Sequence, residues 1–194
     1  MELKGRLKVI SNMVPLCDTV CDIGTDHAYV PIYLVSNNVC KRAVATDARQ
    51  GPIITANKNI ALRGLDKRIV TRVGDGLSPV EESELDTVII AGMGGMLIRD
   101  ILIENISKSR NTGLLILQPM NAVEVLRQWL YSNGFEIMDE ALAEEGAKVY
   151  NMIAARWAGN IRQVDEVYNY IGERLIQKKD PLLKRYIEKK IKQL

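Results

Sequence analysis

The sequence has few of the residues that build metal sites and disulfide frameworks. Its 194 residues include one histidine, His27, and three cysteines, Cys17, Cys21 and Cys40, which form no C-x-x-C pair. Structural zinc sites take four ligands, mostly cysteine and histidine, so no metal site is expected. An odd number of cysteines argues against a disulfide framework, and the three are predicted to be small buried side chains in a reducing compartment.

Long apolar runs are also missing. No stretch approaches the roughly 18 consecutive apolar residues that a membrane-spanning helix requires. Residues 1–15 interleave charged and apolar side chains, which is not the pattern of a secretory signal. With 47% hydrophobic and 26% charged residues, the composition is that of an ordinary globular protein. We therefore expect a cytoplasmic protein with one main core and no membrane partner, a monomer or weak dimer.

Short β-like segments alternate with helical patterns through most of the chain. This alternation is typical of parallel sheets, whose strands need long crossover connections. FEIMDEALAEEG and AKVYNMIAARW then form a predicted hairpin, which adds an antiparallel strand. The pattern predicts an α/β fold with a Rossmann-like seven-stranded sheet in residues 1–158. Residues 159–194 are predicted to be a basic C-terminal helical segment, which starts at about Arg162 and is interrupted at Asp180-Pro181. Its two helices are expected to fold back on one another or onto the main domain.

The loop after the first predicted strand has too little glycine to bind a dinucleotide. In VCDIGTDHAYVP, residues 20–31, Gly24 is the only glycine, and Thr25, Asp26 and His27 stand where a phosphate-binding loop needs further glycines. Their side chains and negative charge disfavour an anionic ligand such as NAD or ATP. They favour a cationic ligand without phosphates, and S-adenosylmethionine carries both a sulfonium and an ammonium group.

Polar or glycine-rich segments also follow the next four predicted strands. Ligands of such sheets bind outside the carboxyl ends of the strands, so these segments form the candidate site. Asp47 is placed to accept hydrogen bonds from ribose hydroxyls, and Asp75 to bond an adenine amino group or a target base. A lone acid at such a position is equally well explained as a helix or turn cap. The candidate site is therefore indicated by the occurrence of such residues at successive strand ends.

Five motifs that occur in order between about Leu3 and Trp157 resemble one known family. They are DIGTDHAYVP, VGDGL, AGMGG, LILQP and RQWL. The combination resembles the bacterial class I methyltransferases that modify N1 of the adenine at position 22 in the D-arm of tRNA. The resemblance implies S-adenosyl-L-methionine as methyl donor, a seven-stranded methyltransferase core, and a helical C-terminal domain that helps to grip tRNA.

The resemblance also implies roles for individual residues. It makes Asp75 the catalytic acid and assigns the target base to Gln118, Pro119 and Asn121. The chain departs from the family at Met120, where asparagine is usual, and its C-terminal region is shorter than the usual coiled coil. The implied cofactor-binding residues are Asp22, Gly24, Thr25, Asp26, His27, Asp47, Gly74, Asp75, Gly76, Gly92, Met93 and Gly94.

Positive charge is concentrated near the C-terminus. Residues 174–194 contain eight basic and two acidic residues, a net charge of +6, while the whole chain carries only +2. Such a segment favours binding to the phosphate backbone of a nucleic acid, because binding releases counterions. A solvated helix face would show the same composition. The candidate tRNA contacts are Lys178, Lys179, Lys184 and Arg185.

The residues favour ring-nitrogen methylation over amine methylation. Adenine N1 has an in-plane lone pair, so its methylation needs alignment more than a strong base. Amine methyltransferases commonly use an Asn/Asp-Pro-Pro-aromatic tetrad, whereas Gln118-Pro119-Met120-Asn121 lacks the second proline and the aromatic residue. Two other functions remain open: a small-molecule methyltransferase on the same fold, and a cofactor-binding RNA adaptor without catalysis.

Overall fold

One seven-stranded sheet forms the centre of the protein. The computed structural model describes residues 2–192, and its strands lie in the order β3-β2-β1-β4-β5-β7-β6. The first five strands are parallel, and β7 runs antiparallel to both of its neighbours. The strands are β1 Cys17–Ile23, β2 Cys40–Asp47, β3 Ile69–Val73, β4 Thr87–Met93, β5 Leu114–Pro119, β6 Phe135–Glu145 and β7 Lys148–Trp157. The predicted sheet, with its terminal hairpin, is confirmed.

Helices cover both faces of this sheet. They are α1 Gly5–Met13, α2 Tyr29–Ser36, α3 Gln50–Ala61, α4 Gly95–Glu104, α5 Ile106–Asn111, α6 Val123–Ser132, α7 Val167–Ile171, α8 Glu173–Gln177 and α9 Leu183–Ile191. The stretch after β4 forms two helices, α4 and α5, which meet at Asn105, whose backbone is not helical.

The apolar core has two layers because strand side chains alternate between the faces of a sheet. On β4, Ile89 points to the layer that α1, α2 and α3 cover, whereas Val88 and Ile90 point to the layer under α4 and α6. All three are fully buried. Strands buried on both faces read as continuous apolar runs, which explains the sequence TVIIA.

A buried ion pair ties α6 to the terminal hairpin. Arg127 Nε donates to Glu140 Oε1 at 2.7 Å, and neither side chain is exposed. Arg127 Nη2 also donates to Asn151 Oδ1 at 2.9 Å. Burial alone would lower the pKa of Arg127, but the charge of Glu140 raises it above its ordinary value. A buried charge is tolerated only when it is paired and fully hydrogen-bonded, and this one is.

The C-terminal segment folds back onto this ion pair and is interrupted near Asp180-Pro181, as predicted, but the part before that interruption is two helices and not one. Residues 162–192 contain the three short helices α7, α8 and α9, with a break at Gly172. Gly172 has φ +88°, and a Cβ there would lie 2.6 Å from Glu140 Oε1, so the ion pair needs a glycine at this position. Arg127 Nη1 completes the contact by donating to the carbonyls of Asn169 and Tyr170.

The same segment lies along β6 and buries a small apolar cluster. Leu175 and Tyr186 pack there against Leu142. Arg174 Nε donates to the backbone carbonyl of Ile137 at 3.0 Å, and the backbone amide of Leu142 donates to the carboxylate of Asp180 at 3.3 Å. The described part of the segment 159–194 is thus joined to the core by side-chain and backbone contacts, in line with the expected folding back onto the main domain.

Within residues 2–192, none of the helices combines the length and the apolar character that a membrane crossing requires. The same residues contain no group of three or more His, Cys, Asp or Glu side chains placed to hold a metal ion. The three cysteines are free thiols.

Candidate functional site

The candidate site lies at the carboxyl ends of the parallel strands, where the sequence places its acids and glycines. In the paired strands, Asp22 of β1 stands beside Ala45 of β2, and Asp47 of β2 stands beside Val73 of β3. The strand ends therefore bring the loops that follow β1, β2 and β3 to one edge of the sheet.

The loop after β1 turns sharply at Gly24. The amides of Gly24 and Thr25 both donate to the carbonyl of Thr46 at 2.8 Å, which fixes the loop against the end of β2. Gly24 has φ +76°, and a Cβ there would lie 2.1 Å from Met93 Cε. The backbone angle favours glycine, whereas the flexible end of Met93 can move aside, so the turn itself accounts for the one glycine of the loop.

A cavity of about 380 Å³, the strand-end cavity, opens beside this loop. It brings together six of the predicted cofactor residues, Asp22, Gly24, Thr25, Asp26, His27 and Gly92. Sequence reasoning missed Arg6 and Leu7 of α1, which form another part of its wall. No motif marks these two residues, because α1 precedes the sheet in the chain and reaches the cavity only through packing.

Asp22 is the buried acid of the strand-end cavity. Burial raises the pKa of Asp22 to about 6, and a hydrogen bond from Thr25 opposes this shift. A carboxylate in such a place is destabilised when ionised and gains most from a cation brought against it. The position therefore suits a positively charged ligand and disfavours a phosphate.

Asp26 and His27 lie at the rim of the strand-end cavity. His27 Nε2 is 3.1 Å from Asp26 Oδ2, and the histidine ring stacks on Tyr29 with ring centroids 5.0 Å apart. Asn59 holds the loop from outside by donating to the carbonyl of His27 at 3.0 Å. The Asp26 side chain is 74% exposed, so this pair borders the opening of the cavity.

Arg6 adds a positive charge to the cavity wall, and Glu145 neutralises this charge. Its backbone amide and its Nη1 donate to the two oxygens of Glu145, at 2.8 and 2.6 Å. Glu145 lies at the tip of the β6–β7 hairpin, so this ion pair fixes the first helix to the last hairpin. The guanidinium of Arg6 also lies 5.4 Å from the centre of the Tyr150 ring.

Asp47 lies beside the strand-end cavity and not in its wall. The carboxyl is largely buried, and Arg49 donates to its Oδ1 from the backbone amide at 2.8 Å and from Nε at 3.5 Å. Among residues 2–192 no donor is bonded to Oδ2, which leaves this oxygen available to accept hydrogen bonds from a ligand.

The loop after β3 is held next to Asp47. The amide of Gly74 donates to the carbonyl of Asp47 at 3.0 Å. Asp75 follows with an exposed side chain, and Gly76, at φ +50°, turns the chain away under Ile101. The predicted catalytic acid is therefore solvent-accessible at the same edge of the sheet as Asp22 and Asp47, outside the wall of the strand-end cavity.

The loops after β4 and β5 are hydrogen-bonded to each other. Gln118 is fully buried, and its Oε1 accepts from the amide of Gly92 at 3.1 Å, while its Nε2 donates to the carbonyl of Pro119 at 3.0 Å. Gly94 precedes α4 as its N-cap residue. Met120 and Asn121 are the exposed residues of the second loop, so they face solvent where Gln118 and Pro119 do not.

The four predicted tRNA contacts do not converge on one site. Lys178 Nζ is 2.8 Å from Asp139, and Arg185 pairs with Glu144, so acids of β6 neutralise both. Lys179 and Lys184 are exposed. None of the four lines the strand-end cavity.

Comparison with known proteins shows to which family the chain belongs. A family model described as a methyltransferase domain matches residues 3–153. The chain belongs to this methyltransferase family. It is 37% identical over 155 residues to the tRNA (adenine(22)-N(1))-methyltransferase of Bacillus subtilis, an alignment that covers 80% of this chain and 65% of that protein. The chain thus spans slightly under two thirds of this relative's length.

Solved structures of similar proteins give the same result. TrmK of M. capricolum, in complex with S-adenosyl-homocysteine, is 31% identical with a TM-score of 0.85, covering 100% of this chain and 85% of that one. The Sp1610 protein of Streptococcus pneumoniae, in complex with S-adenosyl-L-methionine, is 34% identical with a TM-score of 0.90, covering 97% and 87%. These matches confirm the resemblance that the five motifs indicated.

Proposed function

We propose that this methyltransferase transfers the methyl group of S-adenosyl-L-methionine to N1 of the adenine at position 22 of tRNA. The observation that carries the proposal is the buried carboxyl of Asp22 in a cavity at the carboxyl ends of a methyltransferase sheet. The relatives named for this reaction, and those solved with the cofactor or its product, support it.

The residues of the site fit the proposed cofactor. Asp22 offers a buried carboxyl to an ammonium group, and the positive-φ turn at Gly24 lets a ligand approach the backbone. Asp47 keeps Oδ2 for the ribose hydroxyls, as an acid at the second strand end does in related sheets. When bound, the cofactor supplies a methyl group activated by the sulfonium. The loop after β1 binds and orients it.

The loops after β3 and β5 are proposed to act on the target base. Methylation leaves positive charge on adenine, and the exposed carboxylate of Asp75 stabilises that charge or accepts a proton from the amino group afterwards. Buried Gln118 shapes this region by holding Gly92, whereas Met120 and Asn121 provide the exposed surface for the base. Because N1 lies on the pairing edge, a paired or stacked adenine must leave the helix before it reacts.

A methylation assay tests the proposed function. The protein is incubated with methyl-labelled S-adenosylmethionine and unmodified tRNA, and nucleosides are analysed by mass spectrometry after digestion. We expect 1-methyladenosine at position 22. Label on small molecules only, with none in tRNA, would favour the small-molecule methyltransferase and refute the proposal.

The variant Asp75→Ala separates catalysis from a binding-only adaptor. We expect at least about a hundredfold loss of methyl transfer while cofactor binding, measured by titration calorimetry, is retained. The matched control is Asp66→Ala, which removes an exposed acid that precedes β3 at the opposite edge of the sheet. Equal activity of Asp75→Ala and the control would remove the catalytic role of Asp75.

We further propose that residues 1–158 carry cofactor and base while residues 159–194 contribute to holding tRNA. A cytoplasmic location and a monomer or weak dimer accompany this proposal. Three free thiols suit a reducing compartment. Gel filtration with light scattering measures the oligomeric state, and a tight dimer at micromolar concentration would contradict it.

A further inference from the structure

A second cavity lies between the loop after β5 and the helix α9. It has a volume of about 660 Å³ and is called the basic groove below. Residues Pro119 to Asn121 form one wall, α9 forms the opposite wall, and the start of β7 lies between them. The basic groove is larger than the strand-end cavity and open to solvent.

Lysine side chains line the basic groove. They are Lys148 from β7 together with Lys189, Lys190 and Lys192 from the end of α9 and its cap. Glu124 is the sole acid among the described residues that line it, so four lysines against one glutamate leave a formal charge of +3. Positive charge lining a concave surface attracts anions more strongly than the same charge on a flat surface.

Not all four lysines are occupied by contacts within the protein. Lys190 Nζ lies 3.5 Å from Glu124 Oε2, and Lys189 Nζ donates to the carbonyl of Ala147. Lys148 and Lys192 make no ion pair within residues 2–192. By contrast, Lys178 and Arg185, which the sequence suggested as RNA contacts, are neutralised by acids of β6. Unpaired positive charge therefore lines the basic groove.

The basic groove adjoins the candidate site through a shared loop. The amide of Met120, a groove residue, donates to the carbonyl of Met93 at 2.7 Å, and Asn121 accepts from the amide of Gly95 at 3.0 Å. Tyr150 of the groove also lies under Arg6 of the strand-end cavity. A chain of nucleotides bound along the groove would thus pass directly beside the loop proposed to face the target base.

We propose that the basic groove binds phosphates of the tRNA backbone next to the target adenine. This inference rests on the proposed function, since it takes tRNA as the substrate. Lys148 and Lys192 contact phosphate oxygens, and Lys190 exchanges its contact with Glu124 for one with RNA. Such contacts position the strand and carry no sequence information.

The test compares two double variants that remove the same charge. Lys148→Ala/Lys192→Ala empties the groove of its unpaired lysines. Arg63→Ala/Lys67→Ala is the control, because these exposed residues precede β3 at the opposite edge of the sheet. The affinity of each variant for unmodified tRNA is measured by filter binding at about 50 and about 200 mM salt.

Each lost phosphate contact lowers the salt slope by about 0.7 to 0.9. Raising the salt between those concentrations lowers the tRNA affinity of both proteins. The factor by which it falls should be about ten times larger for the unchanged protein than for Lys148→Ala/Lys192→Ala, which has two fewer phosphate contacts. The control should follow the unchanged protein more closely. A third variant, Glu124→Gln, removes the acid of the groove and should bind tRNA more tightly.

Three further outcomes are distinguishable. If tRNA is methylated but the groove variant and the control have the same affinity and salt slope, the groove inference fails and the proposed function stands. If the unchanged protein methylates no tRNA, the proposed function itself fails. If the groove variant loses S-adenosylmethionine affinity as well, its defect is general and the groove inference is overturned.

Discussion

Replacing Arg127 by methionine should destabilise the protein more than any change of an exposed ion pair. Arg127 makes four hydrogen bonds: to Glu140, Asn151 and the carbonyls of Asn169 and Tyr170. Methionine fills much of the same space and makes none of them. Glu140 would then keep only the backbone amide of Arg174, at 3.1 Å, as a donor from the C-terminal segment.

The expected loss follows from the burial of both partners. Removing one partner of a fully buried pair leaves an uncompensated charge, which costs about 3 to 5 kcal/mol of the free energy of unfolding. The free energy of unfolding of a whole domain is only about 5 to 15 kcal/mol, so Arg127→Met would remove a large part of it. The matched control is Arg156→Met, whose half-exposed pair with Glu136 should contribute less than about 1 kcal/mol.

Urea unfolding followed by circular dichroism measures both losses. The double variant Arg127→Met/Glu140→Leu should recover part of the stability, because it removes the stranded charge as well. Hydrogen exchange should quicken first in residues 167–186, since two Arg127 contacts hold that segment. A loss in Arg127→Met no larger than in the control would refute the reasoning.

Three further predictions concern the loop after β1. Because burial raises the pKa of Asp22 from 3.8 to about 6, the native state binds the extra proton between these values, and the free energy of unfolding should fall by about 3 kcal/mol as pH rises through this window. Urea unfolding measured at several pH values should show this fall in the unchanged protein and not in Asp22→Asn, which has no carboxyl to titrate. Cofactor affinity should weaken as pH falls below about 6, because the ionised carboxylate is the binding form, and calorimetry that finds pH-independent binding would contradict this. Gly24→Ala should lower cofactor affinity at least about tenfold in the same assay, since a Cβ at φ +76° strains the turn that forms part of the cavity wall. Gly64→Ala, also at positive φ but away from the site, should leave the affinity unchanged.

The sheet and the first loop could be predicted from the sequence because their signals are local. Apolar runs such as TVIIA mark strands buried on both faces, and the acids after them fall at strand ends by chain order alone. The placement of Asp22, Gly24 and Thr25 in one cavity follows from that regularity.

The remaining features depend on contacts between distant parts of the chain. Position 172 needs glycine because Glu140 and Arg127 occupy the space beside it, and no local pattern reveals a buried ion pair. Arg6 reaches the strand-end cavity because Glu145 holds it there. Gln118 was predicted to flank the target base, but its burial depends on the pairing of β4 with β5, which composition does not reveal.

The C-terminal segment also covers an edge of the sheet. β6, with eleven residues from Phe135 to Glu145, is the outermost strand of the sheet, and a strand in that position readily pairs with strands of other copies. Arg174 and Asp180 occupy the backbone groups of Ile137 and Leu142 that such pairing would use. A chain cut before residue 160 would lose Lys189, Lys190 and Lys192 of the basic groove and expose β6 at the same time. Self-association should then accompany any loss of tRNA binding, and single-residue substitutions separate the two effects.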